Sequence, residues 1–424
     1  MYMKEFEGKK LLVLGGIKTE CDIVKTAKAM GAFVIVADYN PNNPASEFAD
    51  MNIPISATDV DAIVEFCRKE KVDGITTGFV DILLIPYYEA CKRLGLPCYI
   101  TPTMLEMSLN KIQFKERCME FDIPVPQTYI IGNEIKDSLY DLIMYPVFVK
   151  PLDASGSRGA GVCYSKEELD AQFAIALNFS SSKQAIVEDY ITGREFLLDY
   201  IGVNGEFRLL SMFDRYMSSD RGSAINYSNV SICPSERIDQ YYNEIDPKVQ
   251  KMFKELGFTD GLIFMQGYTD GKMITFYEMG CRLGGSFFNL EKAAVGLDPV
   301  EMLVRYSLAG KMLDSIKCVD NRTADFKKIA MVVNYLLKGE DEIVAKIDGI
   351  EAVKSMNSFI ALIQQRDVGY HIENDTIVDK PILSFFMLAK NRSTLKNDLD
   401  YMNKVIQVSN SNGKSLLSEK YTLT

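Results

Sequence analysis

Three short segments carry residue types that could hold a polyphosphate and a divalent cation. The first is Tyr145–Val162, YPVFVKPLDASGSRGAGV. An apolar run delivers Lys150, and Gly156, Gly159 and Gly161 follow within eleven residues. Backbone N–H groups of such a loop can turn onto phosphate oxygens while the ammonium offsets their charge. It is not a Walker A loop, because no GK[ST] closes it. Alone, the segment reads equally well as a hairpin loop with a surface lysine. The second segment is VEDYITGRE at 187–195. A strand holding Glu188 that becomes a linker can offer backbone groups to the edge of a base, while a carboxylate such as Glu195 holds hydroxyls. The plainer reading is an edge strand with solvated carboxylates.

The third segment is FYEMGCRLGGS at 276–286. A carboxylate at a strand end, an arginine four residues on and two glycines suit a metal–phosphate site. Glu278 would bind the cation, and Arg282 would hold a transferring phosphoryl group or an acyl phosphate. Gln266 lies twelve residues before Glu278, across an Asp270-Gly271 turn. A two-residue loop puts Gln266 and Glu278 on opposite faces of the hairpin, and a three-residue loop with a glycine bulge puts them on one face. A shared metal therefore requires the odd loop. Arg215 and Arg221, in a polar stretch at 214–235 that reads as a mobile loop, could anchor a substrate carboxylate.

The elements that must position these groups change character along the chain. Residues 10–100 alternate short apolar runs (Lys10–Gly15, Phe33–Ala37, Met51–Ile55, Gly74–Thr77, Pro97–Ile100) with helical patterns, which predicts a parallel sheet covered on both faces. Gly15-Gly16 reads as a tight turn after the first strand, since GGIKTE is not GxGxxG. Asp38 then carries no dinucleotide role. One amphipathic helix is predicted over 102–121. A small α+β unit follows, with Ser165 and Glu168 forming a capping box. Asn204-Gly205 marks a type I′ hairpin over 195–213. After residue 315 the pattern suggests a separate α+β domain with an antiparallel sheet.

Composition narrows the chemistry. The chain has 424 residues, 47% hydrophobic and 25% charged, with a net charge of −11. That balance disfavours nucleic acid and anionic membranes as partners. A single histidine, His371, excludes His-rich metal centres and leaves little room for a Ser-His-Asp triad. His371 itself reads as a structural or surface residue, and Cys281 as a packing residue. The nine cysteines form no CxxC, which with the absence of an apolar leader suggests reduced thiols in a cytoplasm. No apolar run approaches the ~18 residues of a membrane span.

The order of the three segments, at 150, 188–195 and 278–282, resembles the ATP-grasp superfamily, and NKIQF at 110–114 resembles its opening signal. The C-terminal segment is most similar to the L-amino-acid ligase and carbamoyl-phosphate-synthase-like branch. The resemblance implies an α/β and α+β ATP-grasp fold in three parts: a Rossmann-like pre-ATP-grasp domain at 1–105, an ATP-grasp domain at 106–315 with a lid subdomain at about 125–190, and a C-terminal α+β domain at 316–424. It implies ATP and Mg²⁺. Lys111 and Lys150 would contact phosphates, with Ser155, Gly156, Ser157, Gly159 and Gly161 in the lid loop. Glu188, Asp189 and Ile191 would line adenine, the last two through backbone groups, and Glu195 would hold ribose. Glu278 and Gln266 would bind Mg²⁺, with Lys150 and Arg282 as the catalytic pair and Arg215 and Arg221 toward substrate. The family usually places Asn two residues after the metal-binding Glu, and this sequence has Gly280. The implied activity is a ligase joining a small-molecule carboxylate to an amine through an acyl phosphate, with release of ADP and phosphate. Amino acids are candidate substrates and a homodimer is a candidate assembly. Activation of bicarbonate, or nucleotide binding without turnover, are the alternatives.

Overall fold

The computed structural model describes residues 5–153, 158–217, 227–338, 341–373 and 380–423. Ser155, Gly156, Ser157 and Arg221 therefore lie outside the described residues.

The N-terminal strands β1 (Lys10–Leu14), β2 (Phe33–Ala37), β3 (Met51–Ile53) and β4 (Gly74–Thr76) form a parallel sheet in the order β3-β2-β1-β4. The runs of β1, β2 and β4 are mostly buried on both faces, as parallel strands require, while the edge strand β3 is only partly covered. The Gly15-Gly16 turn is structural: the Asp38 carboxylate accepts the Gly16 N–H at 2.9 Å. Two expectations are corrected. Pro97–Ile100 is not a strand, since Pro97 offers no ladder donor and the segment runs on to the next helix. The helix expected over 102–121 is two, Pro102–Leu109 and Lys111–Glu120. Asn110 breaks the run by leaving the helical region and capping the second helix, accepting from Ile112 N–H at 3.0 Å.

The next unit is a small antiparallel sheet, β5 (Thr128–Gly132), β6 (Val147–Pro151), β7 (Gly161–Cys163) and β8 (Ala185–Asp189), in the order β5-β8-β6-β7. It is covered by the helix Lys166–Phe179, and the two share their own core around Val147, Val149, Leu169, Phe173 and Val187. Ser165 caps that helix by accepting from Glu168 N–H at 3.3 Å, and the Glu168 carboxylate accepts from Tyr164 N–H at 2.7 Å.

The large antiparallel sheet contains β9 (Arg194–Val203), β10 (Glu206–Tyr216), β11 (Val230–Cys233), β12 (Gly261–Thr269), β13 (Ile274–Gly280) and β14 (Ile329–Leu337). Two short ladders follow, β15 (Glu342–Ile343) with β18 (His371–Ile372), and β16 (Lys346–Asp348) with β20 (Gln407–Ser409). β17 (Phe359–Gln364) and β19 (Lys380–Ala389) complete the large sheet, whose order is β13-β12-β9-β10-β11-β14-β19-β17. Asn204 and Gly205 join β9 to β10 with φ of 53° and 84°, the positive values of a type I′ turn. Residues 214–235 are not one polar loop, because Asp214–Tyr216 belong to β10 and Val230–Cys233 form β11. That hidden strand has a consequence. β11 pairs with β10 on one side and with β14 on the other, so the C-terminal strands extend the same sheet instead of forming a separate one. The apolar cluster of the C-terminal region reaches back across that seam to Tyr216, Val230 and Ile232.

Candidate active site

The site lies where the small sheet meets the large one. Gly193 joins them: a side chain there would meet the Thr269 carbonyl oxygen at 2.2 Å, so only glycine lets the linker approach so closely. From the small sheet, β6 delivers Lys150 and β8 delivers Glu188 at diagonal positions of the ladder. Glu188 is buried, and its two oxygens take one lysine each, Lys150 at 2.5 Å and Lys115. Burial pushes this carboxyl up, but the two ammonium groups more than offset it and hold it below the usual range. Glu188 thus holds both lysines, beside the place that the resemblance gives it against adenine. Lys115, absent from the sequence reading, sits one turn after Lys111 on the same helix face.

Lys111 begins its helix and reaches the Leu152 carbonyl at 3.5 Å. Burial and the neighbouring Lys150 push its pKa down to about 8, against the pull of Glu278, Glu188 and Asp153. Asp189 uses its backbone N–H on the Gln127 carbonyl (2.9 Å) and its carboxylate on the Tyr129 hydroxyl (2.6 Å). Its N–H is therefore committed within the fold. Ile191 lies half-buried in the linker beyond β8. The described part of the glycine loop packs on the covering helix, with Gln172 donating to the Gly159 carbonyl at 2.9 Å, and Gly161 opens β7.

On the large sheet, Glu195 on β9 is buried beside Arg215, 2.9 Å away, and accepts from the Tyr277 hydroxyl. Arg215 was expected to anchor a substrate carboxylate. Its guanidinium faces Glu195 across the β9–β10 ladder. Gln266 and Glu278 are direct cross-strand partners on β12 and β13. The loop between these strands, 270–273, has four residues and not the odd number expected. A bulge between Gln266 and Gly267 supplies the missing residue and brings both side chains to one face. Burial and the charge of Asp81 push the Glu278 carboxyl up, while Lys111, Arg282 and Lys150 pull it back.

Arg282 is fixed from three directions. Asp81, from the loop after β4, accepts its Nε at 2.6 Å and its Nη2 at 2.8 Å. The Leu283 carbonyl accepts Nη1 at 2.8 Å, and the guanidinium lies 4.5 Å from the Phe264 ring centre. The same ring explains Gly280: a Cβ there would lie 2.0 Å from Phe264 Cε1. The position where the family usually has Asn is thus filled by an aromatic ring. Asp81 and Phe264 gave no signal in the sequence, because their roles depend on neighbours remote in the chain.

Other singled-out residues fall outside this cluster. Cys281 is buried, accepts from the Ser108 hydroxyl at 3.0 Å, and has its thiol pushed up to about 12 by burial. His371 lies on the surface, 2.6 Å from Asp341. Among the described residues no three His, Cys, Asp or Glu side chains gather around one point. Glu278 and Gln266 are the carboxylate and amide that share one face of the β12–β13 hairpin. One carboxylate and one amide oxygen on a shared face suit Mg²⁺, which keeps waters and takes its remaining ligands from phosphates.

A parallel N-terminal sheet, a small lid-like sheet and a large antiparallel sheet, with lysines and carboxylates at their meeting point, make up an ATP-grasp fold, the fold of the solved structures on which the chain superimposes. Residues 123–262, about a third of the chain, match the family described as D-ala D-ala ligase C-terminus. A formate-dependent phosphoribosylglycinamide formyltransferase of Sulfurisphaera tokodaii is 30% identical over 192 residues, 44% of this chain and 48% of that protein. The chain spans about half the length of such curated relatives. An L-amino acid ligase from Bacillus licheniformis superimposes with a TM-score of 0.77 at 19% identity, over 96% of this chain and 100% of that one. The biotin carboxylase domain of the Hydrogenobacter thermophilus 2-oxoglutarate carboxylase, solved with MgADP, ADP and bicarbonate, does so with a TM-score of 0.75 at 18% identity, over 96% of this chain and 91% of that one. No helix among the described residues is long and apolar enough to cross a membrane.

Proposed function

We propose that this protein is an ATP-dependent ligase that activates a small carboxylate as an acyl phosphate and joins it to an amine, with amino acids as the leading substrates. The observation that carries this reading is the convergence of Lys111, Lys150, Glu278 and Arg282 at the junction of the two sheets. A carboxylate and ATP are both anions, so their approach needs local cations in a site poor in water. Lys111 and Lys150 would hold phosphate oxygens. Glu195 would take ribose hydroxyls, and the backbone at Asp189 and Ile191 would meet adenine. Glu278 and Gln266 would hold Mg²⁺, which supplies further neutralisation of the phosphates when bound. Arg282, held rigid by Asp81, would face the transferring phosphoryl group.

In the first step a carboxylate oxygen bonds to the γ-phosphorus and the bond to the ADP oxygen breaks. In the second the amine nitrogen bonds to the acyl carbon, phosphate leaves, and the nitrogen loses a proton. No nucleophile from the protein is required, in keeping with the surface placement of the single histidine. The likeness to a biotin carboxylase domain solved with bicarbonate supports a second reading, in which bicarbonate is the activated carboxylate. The unpaired state of all nine cysteines supports a reducing compartment such as a cytoplasm.

A screen of ADP release over pairs of amino acids and small carboxylates, with bicarbonate included, tests the reading. The expected result is release that depends on both a carboxylate and an amine, with hydroxylamine trapping a hydroxamate. ATP binding without ADP release across the screen would overturn it in favour of a nucleotide-binding role.

A further inference from the structure

We propose that Lys115 is a positioning residue for the phosphate site: by taking one oxygen of Glu188, it keeps that carboxylate from neutralising Lys150. The proposal rests on the reading of Lys150 as a phosphate-binding group. Lys115 is itself buried, with a side chain 5% exposed. Its ammonium has three donors, and three acceptors surround it: Glu188, the Thr128 hydroxyl at 2.7 Å and the Pro126 carbonyl at 3.2 Å. Thr128 and Glu188 are themselves cross-strand neighbours on β5 and β8, so the lysine is clamped to the sheet that carries Lys150.

The charge balance gives this arrangement its purpose. Two lysines and one carboxylate leave a net charge of +1 in a place too buried for water to screen it, since Glu188 is 3% exposed. Without Lys115, Glu188 and Lys150 would form a closed pair with no net charge. Lys150 would then be drawn back toward β8, and a phosphate would meet a neutral pair. Lys115 also spares Glu188 the cost of a buried carboxylate with one oxygen unanswered. Its position four residues after Lys111 places both lysines on one face of the same helix, so one element supplies a cation toward the lid loop and a cation behind it.

Affinity for ADP, measured by calorimetry on the full chain, tests the proposal. Lys115→Met should weaken binding about tenfold or more. Lys115→Arg should bind within about threefold of the wild type, since it keeps the charge. Lys115→Met combined with Glu188→Gln restores the net +1 on Lys150. It should recover most of the lost affinity. A structural role for Lys115 allows the same recovery, because Glu188→Gln removes the stranded carboxylate, so the single variant Glu188→Gln separates the two: the proposal predicts tighter ADP binding, and a structural role predicts weaker binding, with two buried lysines left without their carboxylate. Weaker binding by Glu188→Gln, with Lys150→Met still abolishing binding, overturns the proposal alone. Absence of ADP binding by the wild type, or unchanged binding by Lys150→Met, overturns the nucleotide reading and this proposal with it. If Lys115→Met does not fold, Glu188→Gln decides: it raises the net charge and should tighten ADP binding, and weaker binding overturns the proposal.

Discussion

Gln266 and Glu278 stand directly opposite each other across the β12–β13 hairpin because the ladder slips by one residue between them and the turn. Thr269 pairs with Ile274, and the pairing runs regularly to Gly267 and Phe276. Continued without a break, it would set Gln266 against Tyr277 and turn Glu278 to the far face. The bulge places Tyr277 between, where its hydroxyl reaches Glu195 and, at 3.3 Å, Gln266. One irregularity thus brings together a candidate metal pair and ties it to the candidate ribose-binding carboxylate.

Glu278→Gln keeps the shape of this pair and removes its charge. The Mg²⁺ concentration needed for half-maximal ADP release should rise roughly tenfold or more, because the variant loses the charged donor of the proposed pair. A titration of activity against free Mg²⁺ checks this, and an unchanged midpoint removes Glu278 from the metal site.

Lys150→Ala should lower ADP release by about a hundredfold or more, the scale seen when a preorganised charge donor is lost from a reacting phosphoryl or acyl group. Near-normal release in that variant would remove Lys150 from the phosphate site.

Lys111 gives a pH signature. An exposed lysine keeps its charge to about pH 10. Burial and Lys150 bring Lys111 to about 8, so its charge is present below that pH and lost as pH rises through it. The value of kcat/KM for ATP, which reports the free enzyme, should therefore fall above about pH 8. Lys111→Arg retains the charge, and its profile should stay flat to higher pH. A wild-type profile level through pH 10 would detach Lys111 from nucleotide capture.

Gly280→Ala tests the packing of Phe264. A methyl group cannot share space with a ring carbon 2.0 Å away, so the ring must move. The variant should lose about 1–3 kcal/mol of stability by urea unfolding, and Phe264→Leu should recover part of that loss. If Gly280→Ala alone is neutral, the ring is not what fixes glycine there.

Asp81→Ala removes two hydrogen bonds from Arg282 and frees its guanidinium to turn. The expected result is a lower kcat with little change in the KM for ATP, because Arg282 is read as meeting the transferring group and not the base or ribose. Steady-state kinetics with the substrate pair found in the screen would show it, and a change confined to the KM for ATP would contradict it.

The sequence by itself determined the local devices. Continuous apolar runs specified the parallel strands, Asn204-Gly205 specified a hairpin, and the spacing of Lys150, Glu188, Glu195 and Glu278 pointed to the ATP-grasp layout. These features depend on residues close in the chain, where pattern and backbone preference act directly. Only the tertiary structure decided which charges meet. Asp81 and Arg282 are 201 residues apart, and Lys115 and Glu188 are 73 apart. No local periodicity encodes such pairs; they form because separate elements are packed against one another and a buried charge must find a partner. The same holds for β11, whose pairing with β14 carries the large sheet into the C-terminal region, and for the one-residue slip that turns Glu278 toward Gln266. In both cases a single hydrogen-bond register, set by the surrounding sheet, chose between faces that the sequence pattern left open.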